Sequence, residues 1–415
     1  MPRHLIRSRL ARQALMTVAA TALLGSGAFA DEVKIGLLAP LTGPASADGQ
    51  EFERGAQLAI DEMNAAGGIN GHTFSLVVGD VKDQSAGNVT SAVERLLGDP
   101  DVHFMLTGYA SLTNFEIENM AEAEMPYVLA ANSQQTKDII ALAPENYTCC
   151  WSWTPSFDAY NTDVTAFAEK LAADGKIELP TKKVAIVSSD NAYSKTISEG
   201  MKKTFTEQGW TITVDEIVPF GEVTDWRSIL AKVREDVPDV VINTDYLPGN
   251  SASFLTQFLE QPTKSLVFLQ YAPSVPEFVQ LTGEKSNGVI YDLLGGPLVS
   301  PNNPRADEIM TKFKDAYGVE SGTYGVALYE IVNLYFDALK KVGDPNDHVG
   351  IMESIGATDK QVVAGRLKFD PETHLAMQGD DYIPITFFQI WDGERILISP
   401  EKYAVGEFKP QPWMQ

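Results

Sequence analysis

The chain has little cysteine, little histidine and few positive charges, and each scarcity narrows what it can do. Its two cysteines, Cys149 and Cys150, are neighbours in a chain of 415 residues, so no disulfide framework can hold the fold together. Adjacent cysteines close only a small ring that departs from ordinary disulfide geometry. Two thiols packed beside Trp151 and Trp153 are the plainer expectation, with a vicinal disulfide as the alternative. The five histidines (His4, His72, His103, His348, His374) are scattered without the spacing of a metal site. Basic residues number 32 against 56 acidic ones, a formal charge of −24, which argues against the basic footprint of a nucleic-acid binder. No G-x-G-x-x-G follows the first apolar run, and neither a P-loop nor a G-x-S-x-G elbow occurs. Asp380-Asp381 is a paired acid, but one expected on a solvated loop. After residue 30 no apolar run reaches transmembrane length.

What is present is ordinary globular composition, 44% hydrophobic and 21% charged, and enough length for two domains with separate cores. Residues 1–30 read as a cleavable secretory leader. Arg3, Arg7, Arg9 and Arg12 form its positive end, Ala14 to Leu24 an apolar core too short to span a bilayer, and Ala28-Phe29-Ala30 an A-x-A cleavage site. Loss of the four arginines takes the formal charge from −24 to −28. No cysteine near the site points to a lipid anchor, so the mature chain is expected to start at Asp31 as an exported protein.

Residues 33–74 set the architecture. An apolar run from Val33 to Ala39 leads into a Gly/Pro loop over residues 41–49. Phe52, Ala56, Ile60 and Met63 then repeat at helical spacing. Asn64 to Gly71 reads as a helix stop and turn, because glycine accepts the positive φ of a C-cap, and Phe74 to Val78 begins a second strand. This strand–helix–strand order is the unit of a parallel sheet. It continues with a helix over 85–97, a strand over 102–106, a helix over 111–124 whose Thr113 and Glu116 have capping-box form, and a strand over 126–131. Pro144, the run from Cys149 to Trp153, and Pro155 break the rhythm. The pattern then restarts: strands are expected at 184–188, 211–218, 240–243 and 266–269, with helices at 158–173, 194–208, 226–233 and 251–259. Residues 288–304 read as a second crossing, 323–342 as a long helix, and 383–399 as a hairpin about Asp392-Gly393.

Three of these features together resemble the periplasmic substrate-binding proteins of the leucine/isoleucine/valine (branched-chain amino acid) family, the receptors of ABC importers. They are Thr42-Gly43-Pro44, the G-A-x-x-A-x-x-x-x-N helix from Gly55 to Asn64, and Gly67-Gly68-Ile69-Asn70-Gly71. The resemblance implies an α/β fold of two doubly wound, Rossmann-like lobes joined by a hinge that the chain crosses three times. The third crossing then falls near 366–371. Lobe 1 is expected to comprise 31–155 plus 290–368, and lobe 2 156–289 plus 369–415. The implied role is capture of a small amino-acid-like solute between the lobes, for delivery to a membrane ABC permease, with no cofactor, metal or nucleic acid, by a monomer in the periplasm.

Ligands of open α/β sheets bind beyond the carboxyl ends of the strands. The candidates are therefore Tyr109, Ala110, Ser111 and Thr113; Ala131, Asn132 and Ser133; Asn191 and Tyr193; Asp245 and Tyr246; Gln270 and Tyr271. The resemblance implies that Ser111 and Ser133 receive a ligand carboxylate, Ala131 offers a carbonyl to an ammonium, and Tyr193, with Tyr246, closes over the solute. A hydroxyl at such a place also caps helices; capping is the expected role for Thr113, and both roles stand for Ser111. Trp151 and Trp153 are expected in core or hinge packing. The family usually places an acid after the last strand of the second lobe, where this chain has Tyr271. Asp245 or Asp48 must then supply the charge, or the ligand lacks an ammonium and is an aromatic carboxylate or small amide. An exported enzyme or a sensor subunit on the same scaffold is the alternative of another class.

Overall fold

In β1 (Glu32–Ala39) the run from Ile35 to Ala39 is continuously buried on both faces, as a parallel strand covered by helices requires. The computed structural model describes residues 32–111, 113–132 and 134–415, so the expected leader, Leu112 and the candidate Ser133 lie outside the described residues. After β1 come α1 (Ser46–Ala65), β2 (Thr73–Asp80), α2 (Ala86–Leu97), β3 (Val102–Thr107), α3 (Glu116–Glu122), β4 (Tyr127–Leu129), α4 (Gln134–Leu142) and β5 (Cys150–Ser152). The five strands form one parallel sheet in the order β2-β1-β3-β4-β5.

The pattern restarts with α5 (Tyr160–Ala173), β6 (Lys183–Ser189), α6 (Ala192–Glu207), β7 (Thr211–Val218), α7 (Arg227–Asp236), β8 (Val240–Asn243), α8 (Pro248–Phe258), β9 (Leu266–Leu269), α9 (Pro276–Thr282) and β10 (Ile290–Leu294). Helices α10 (Pro304–Tyr317), α11 (Tyr324–Val342) and α12 (His348–Gly356) follow, then the small hairpin of β11 (Asp359–Val362) and β12 (Gly365–Lys368). Last come β13 (Ile385–Trp391) and β14 (Glu394–Ser399). The second sheet has seven strands ordered β14-β13-β10-β9-β8-β6-β7. Its β13–β14 turn places Asp392 at φ 53° and Gly393 at φ 82°, the pair of positive φ values that a two-residue hairpin demands.

Each sheet has its own packing centre. In the first, Tyr335 of α11 stacks on Phe104 of β3 at 4.7 Å between ring centroids, and Phe336 meets Phe74 of β2 at 4.7 Å. In the second, Phe167 of α5 stacks on Phe387 of β13 at 4.1 Å. Helix α11 follows β10 in sequence yet packs on α1 of the first lobe, so the chain has crossed back by residue 304.

Four expectations need correction. Residues 290–294 form β10, parallel to β9 and antiparallel to β13, so they belong to the second sheet and not to lobe 1. Flanking Gly288, Gly295, Gly296 and Pro297 made this short strand read as loop. The third crossing lies later than 366–371, because Leu375 still bridges Ser152 at the edge of the first sheet and the chain enters the second only at Ile385. Helix α3 begins at Glu116, not at residue 111, with no side-chain cap at its N-terminus, so the Thr113–Glu116 capping box does not form. Cys149 and Cys150 are joined by a vicinal disulfide, not two thiols.

Gly55 of α1 faces the Gly325 carbonyl of α11, and a β-carbon there would overlap it. Two backbones meet where a side chain cannot fit. Gly55→Ala is expected to lower unfolding stability by ~1–3 kcal/mol, measured by urea denaturation; an unchanged midpoint would show that α1 and α11 separate without cost.

Candidate functional site

Six strand ends converge on one cavity. Tyr109 follows β3, Ala131 follows β4, Tyr193 follows β6, Tyr246 follows β8, Tyr271 follows β9, and Leu293 to Gly295 close β10. The cavity measures about 110 Å³, room for a solute of modest size when one water needs ~10–15 Å³ on that measure. From the first lobe come Tyr109, Ser111, Asn114 and Ala131, and from the N-terminus of α11 come Thr323 and Tyr324. Phe157, Tyr160, Tyr193, Tyr246 and Tyr271 close the other side. No Asp, Glu, Lys or Arg is among the described lining residues.

The aromatic wall is a chain of edge-to-face contacts, the arrangement that ring quadrupoles prefer. Tyr109 meets Tyr324 at 5.4 Å and Tyr246 at 6.1 Å; Tyr246 meets Tyr193 at 5.7 Å; Phe157 meets Tyr193 at 5.5 Å. Hydrogen bonds fix several hydroxyls. Tyr109 donates to Asp48 Oδ2 at 2.6 Å, and Tyr271, from the opposite lobe, donates to Asp48 Oδ1 at 2.9 Å. Tyr271 holds φ 56°, a left-handed conformation that a bulky side chain adopts only when its surroundings enforce it. Tyr246 accepts an N–H from Gln84 of the first lobe at 3.2 Å, and Tyr193 accepts one from Gln270 at 3.3 Å.

The acids around the cavity stand behind its wall. Burial pushes the Asp48 carboxyl up to about 7; the Tyr109 and Tyr271 hydroxyls pull it down, and the charge of Glu51 pushes it further up. Glu51 is raised by burial, although it accepts backbone N–H groups of Gly322 and Gly325 at the entry to α11. Asp292 of β10 is raised far above the carboxylate range by burial, with Asp163 adding to the rise. Gln270 Nε2 bridges Asp292, at 2.7 Å, to the Tyr193 hydroxyl.

Residues 32–392 match a family model described as periplasmic binding protein. The chain belongs to the periplasmic binding protein family. Among curated relatives, the Leu/Ile/Val-binding protein homolog 8 of Brucella abortus is 26% identical over 419 residues, covering 97% of this chain and 98% of its own. Homolog 7 of Brucella melitensis is 24% identical, covering 95% and 98%. Among solved structures, a putative branched-chain amino acid ABC transporter protein from Silicibacter pomeroyi superposes with a TM-score of 0.81 at 29% identity, covering 92% of this chain and all of that one. The substrate-binding protein LivJ from Streptococcus pneumoniae, solved with isoleucine, gives a TM-score of 0.71 at 21% identity over 89% of this chain, a likeness of fold.

In this binding protein, the expected Tyr109, Ser111, Ala131, Tyr193, Tyr246 and Tyr271 all line the cavity, as does Asn132. Asp245 does not. It is fully buried, accepts from Leu247 N and Asn250 Nδ2, and burial pushes it up to about 6. Asn191 caps α6 by accepting from Ser194 N. Ser111 Oγ donates to Glu116 Oε2 and accepts from Phe115 N, so its proton is committed at the start of α3. Glu116 is fully buried and its carboxyl is raised by that burial. Trp153, expected in core packing, is buried but lines the cavity and donates to Gly295 O at 2.9 Å. Tyr324 and Tyr160 were hidden in amphipathic helix patterns, where an aromatic reads as core; only their place at a helix N-terminus hinted at more.

Asp48 gives a pH test. Its carboxyl stands near 7 in the folded protein against an ordinary 3.8, so the folded state holds the extra proton between those values. The stability it contributes is full below about pH 4 and is lost as pH rises through 7, by at most ~1.4 kcal/mol per unit. Asp48→Asn removes this slope, and comparing the two unfolding free energies from pH 4 to 8 reads it directly; parallel curves would place the proton elsewhere.

Proposed function

We propose that this protein is the exported solute receptor of an ABC importer, capturing an amino-acid-like solute, branched-chain or related, in the cavity between its lobes. The observation that carries this reading is the cavity itself. Residues from the ends of six strands in two sheets meet around one small, aromatic space, so a solute there touches both lobes at once. A ligand held by both lobes favours the state in which they approach, and that difference in affinity is the whole of the work such a receptor does. The reading assigns no catalytic residue, no nucleic-acid partner and a monomeric state, with export directed by residues 1–30. The lobes divide as 32–153 plus 295–376, and 156–294 plus 385–415.

The site residues proposed are Tyr109, Ser111, Ala131, Ser133, Tyr193, Tyr246 and Tyr271, joined by Tyr324 and Trp153. Asp245 leaves the set. A second reading, an aromatic carboxylate or small amide, is favoured by one feature. Tyr193 and Tyr246 each accept an N–H, which leaves both hydroxyl protons to donate, and none of the described lining residues carries a charge to match an ammonium.

The test is a thermal-shift panel of the twenty common amino acids, aromatic carboxylates and short amides. A true ligand at 100 times its Kd adds roughly 2.7 kcal/mol, and Tyr246→Ala is expected to weaken it by roughly tenfold or more. If nothing in the panel raises the midpoint, the proposed solute class is wrong.

A further inference from the structure

A cavity without a charged wall is a poor home for an ammonium, because an ion taken out of water without a counter-charge loses several kcal/mol of hydration. Two carboxyls stand one layer back: Glu116 takes the single lining hydroxyl of Ser111, and Asp48 takes two, one from each lobe. Asp48 is buried, 3% exposed, in the first turn of α1, and both its oxygens are taken by hydroxyls of residues that line the cavity, Tyr109 from one lobe and Tyr271 from the other. A tyrosine hydroxyl has one proton and keeps its lone pairs once that proton is given away. Asp48 therefore turns two donors into acceptors on the cavity wall. Its charge acts on Tyr109, Tyr271, Tyr324, Tyr193 and Tyr246 alike, five of the tyrosines around the space.

Resting on the receptor reading above, we infer that Asp48 is the counter-charge of the cavity, selecting solutes with an ammonium group by acting through the hydroxyls of Tyr109 and Tyr271. It is a positioning residue, since the solute meets the tyrosines and not the carboxylate. Their electron-rich faces add cation–π attraction of the same sign. Tyr193 and Tyr246, whose oxygens already accept an N–H, keep their protons for a carboxylate. The wall thus has an accepting side and a donating side, which suits a zwitterion. Other acids are less suited. Asp245 is turned into its own loop by Leu247 N and Asn250, and Asp292 reaches the cavity only through Gln270 and Tyr193.

The pH dependence has a definite sign. The groups acting on Asp48 are Tyr109, Tyr271, Glu51 one turn along α1, and Glu277 of α9, and both glutamates favour its neutral form. A cationic solute favours the ionised form, so its affinity rises with pH up to neutrality. A solute with only a carboxylate prefers neutral Asp48, so its affinity is level below neutrality and falls as pH rises past 7.

The experiment takes the amino acid with the largest thermal shift, its deamino acid and its decarboxylated amine; for leucine these are 4-methylpentanoate and 3-methylbutylamine. Calorimetric Kd values are measured for the purified wild type and Asp48→Asn between pH 5 and 8. The variant is expected to weaken amino acid and amine by roughly tenfold or more, to leave the deamino acid as tight or tighter, and to abolish the opposed pH slopes. Equal weakening of all three would make Asp48 a structural tie and overturn the inference. Binding of the deamino acid alone would overturn it while leaving the receptor role intact. If none of the three binds the wild type, the receptor reading and the inference fall together. A separate fold check, the circular dichroism and unfolding midpoint of Asp48→Asn, distinguishes lost selectivity from lost structure.

Discussion

A carboxylate whose two oxygens are held by hydroxyls from opposite walls ties its own dehydration to the distance between those walls. Asp48 is that carboxylate. Tyr109 and Tyr271 can both reach it only when the ends of β3 and β9, in different sheets, stand close together. The positive φ of Tyr271 and the Gln84–Tyr246 bond belong to the same approach. The aromatic wall, the small cavity and the burial that raises the carboxyls all belong to the place where the two lobes meet.

That meeting explains why the acids stand behind the tyrosines. A carboxylate placed directly on the wall would be a permanent charge in a dry space, costly whenever no cation is present. Set back by one hydroxyl, it can carry a proton when the cavity holds nothing cationic and give it up when something cationic enters. Glu51, which accepts the Gly322 and Gly325 N–H groups at the entry of α11, and Glu116, against Ser111, repeat the arrangement of a buried acid supported by donors.

Much of the fold was legible because strands buried on both faces write continuous apolar runs. Residues 211–218, 240–243 and 266–269 are strands with the expected ends. The strands that were missed are short: β5, β11 and β12 have three or four residues, and β10 has five with glycine on both flanks, too few for a periodic signal to outweigh their neighbours. Site residues after strands were legible for a topological reason, and six of the expected eight line the cavity; Ser133 lies outside the described residues. Asp245 misled because a residue after a strand can turn inward to hold its own loop. Tyr324 and Trp153 were missed because their partners lie far along the chain: the Trp153 indole donates to Gly295, 142 positions on. No local pattern encodes a contact of that range.

The same indole bond has a mechanical meaning. It ties the first-lobe ends of the first and second crossings, while the bridge from Ser152 to Leu375 ties the first to the approach of the third. Three crossings rooted together on one lobe leave the other lobe to turn about that common root. Relative motion is thereby funnelled into a single angular coordinate. On the receptor reading, that angle is the quantity a membrane partner would register.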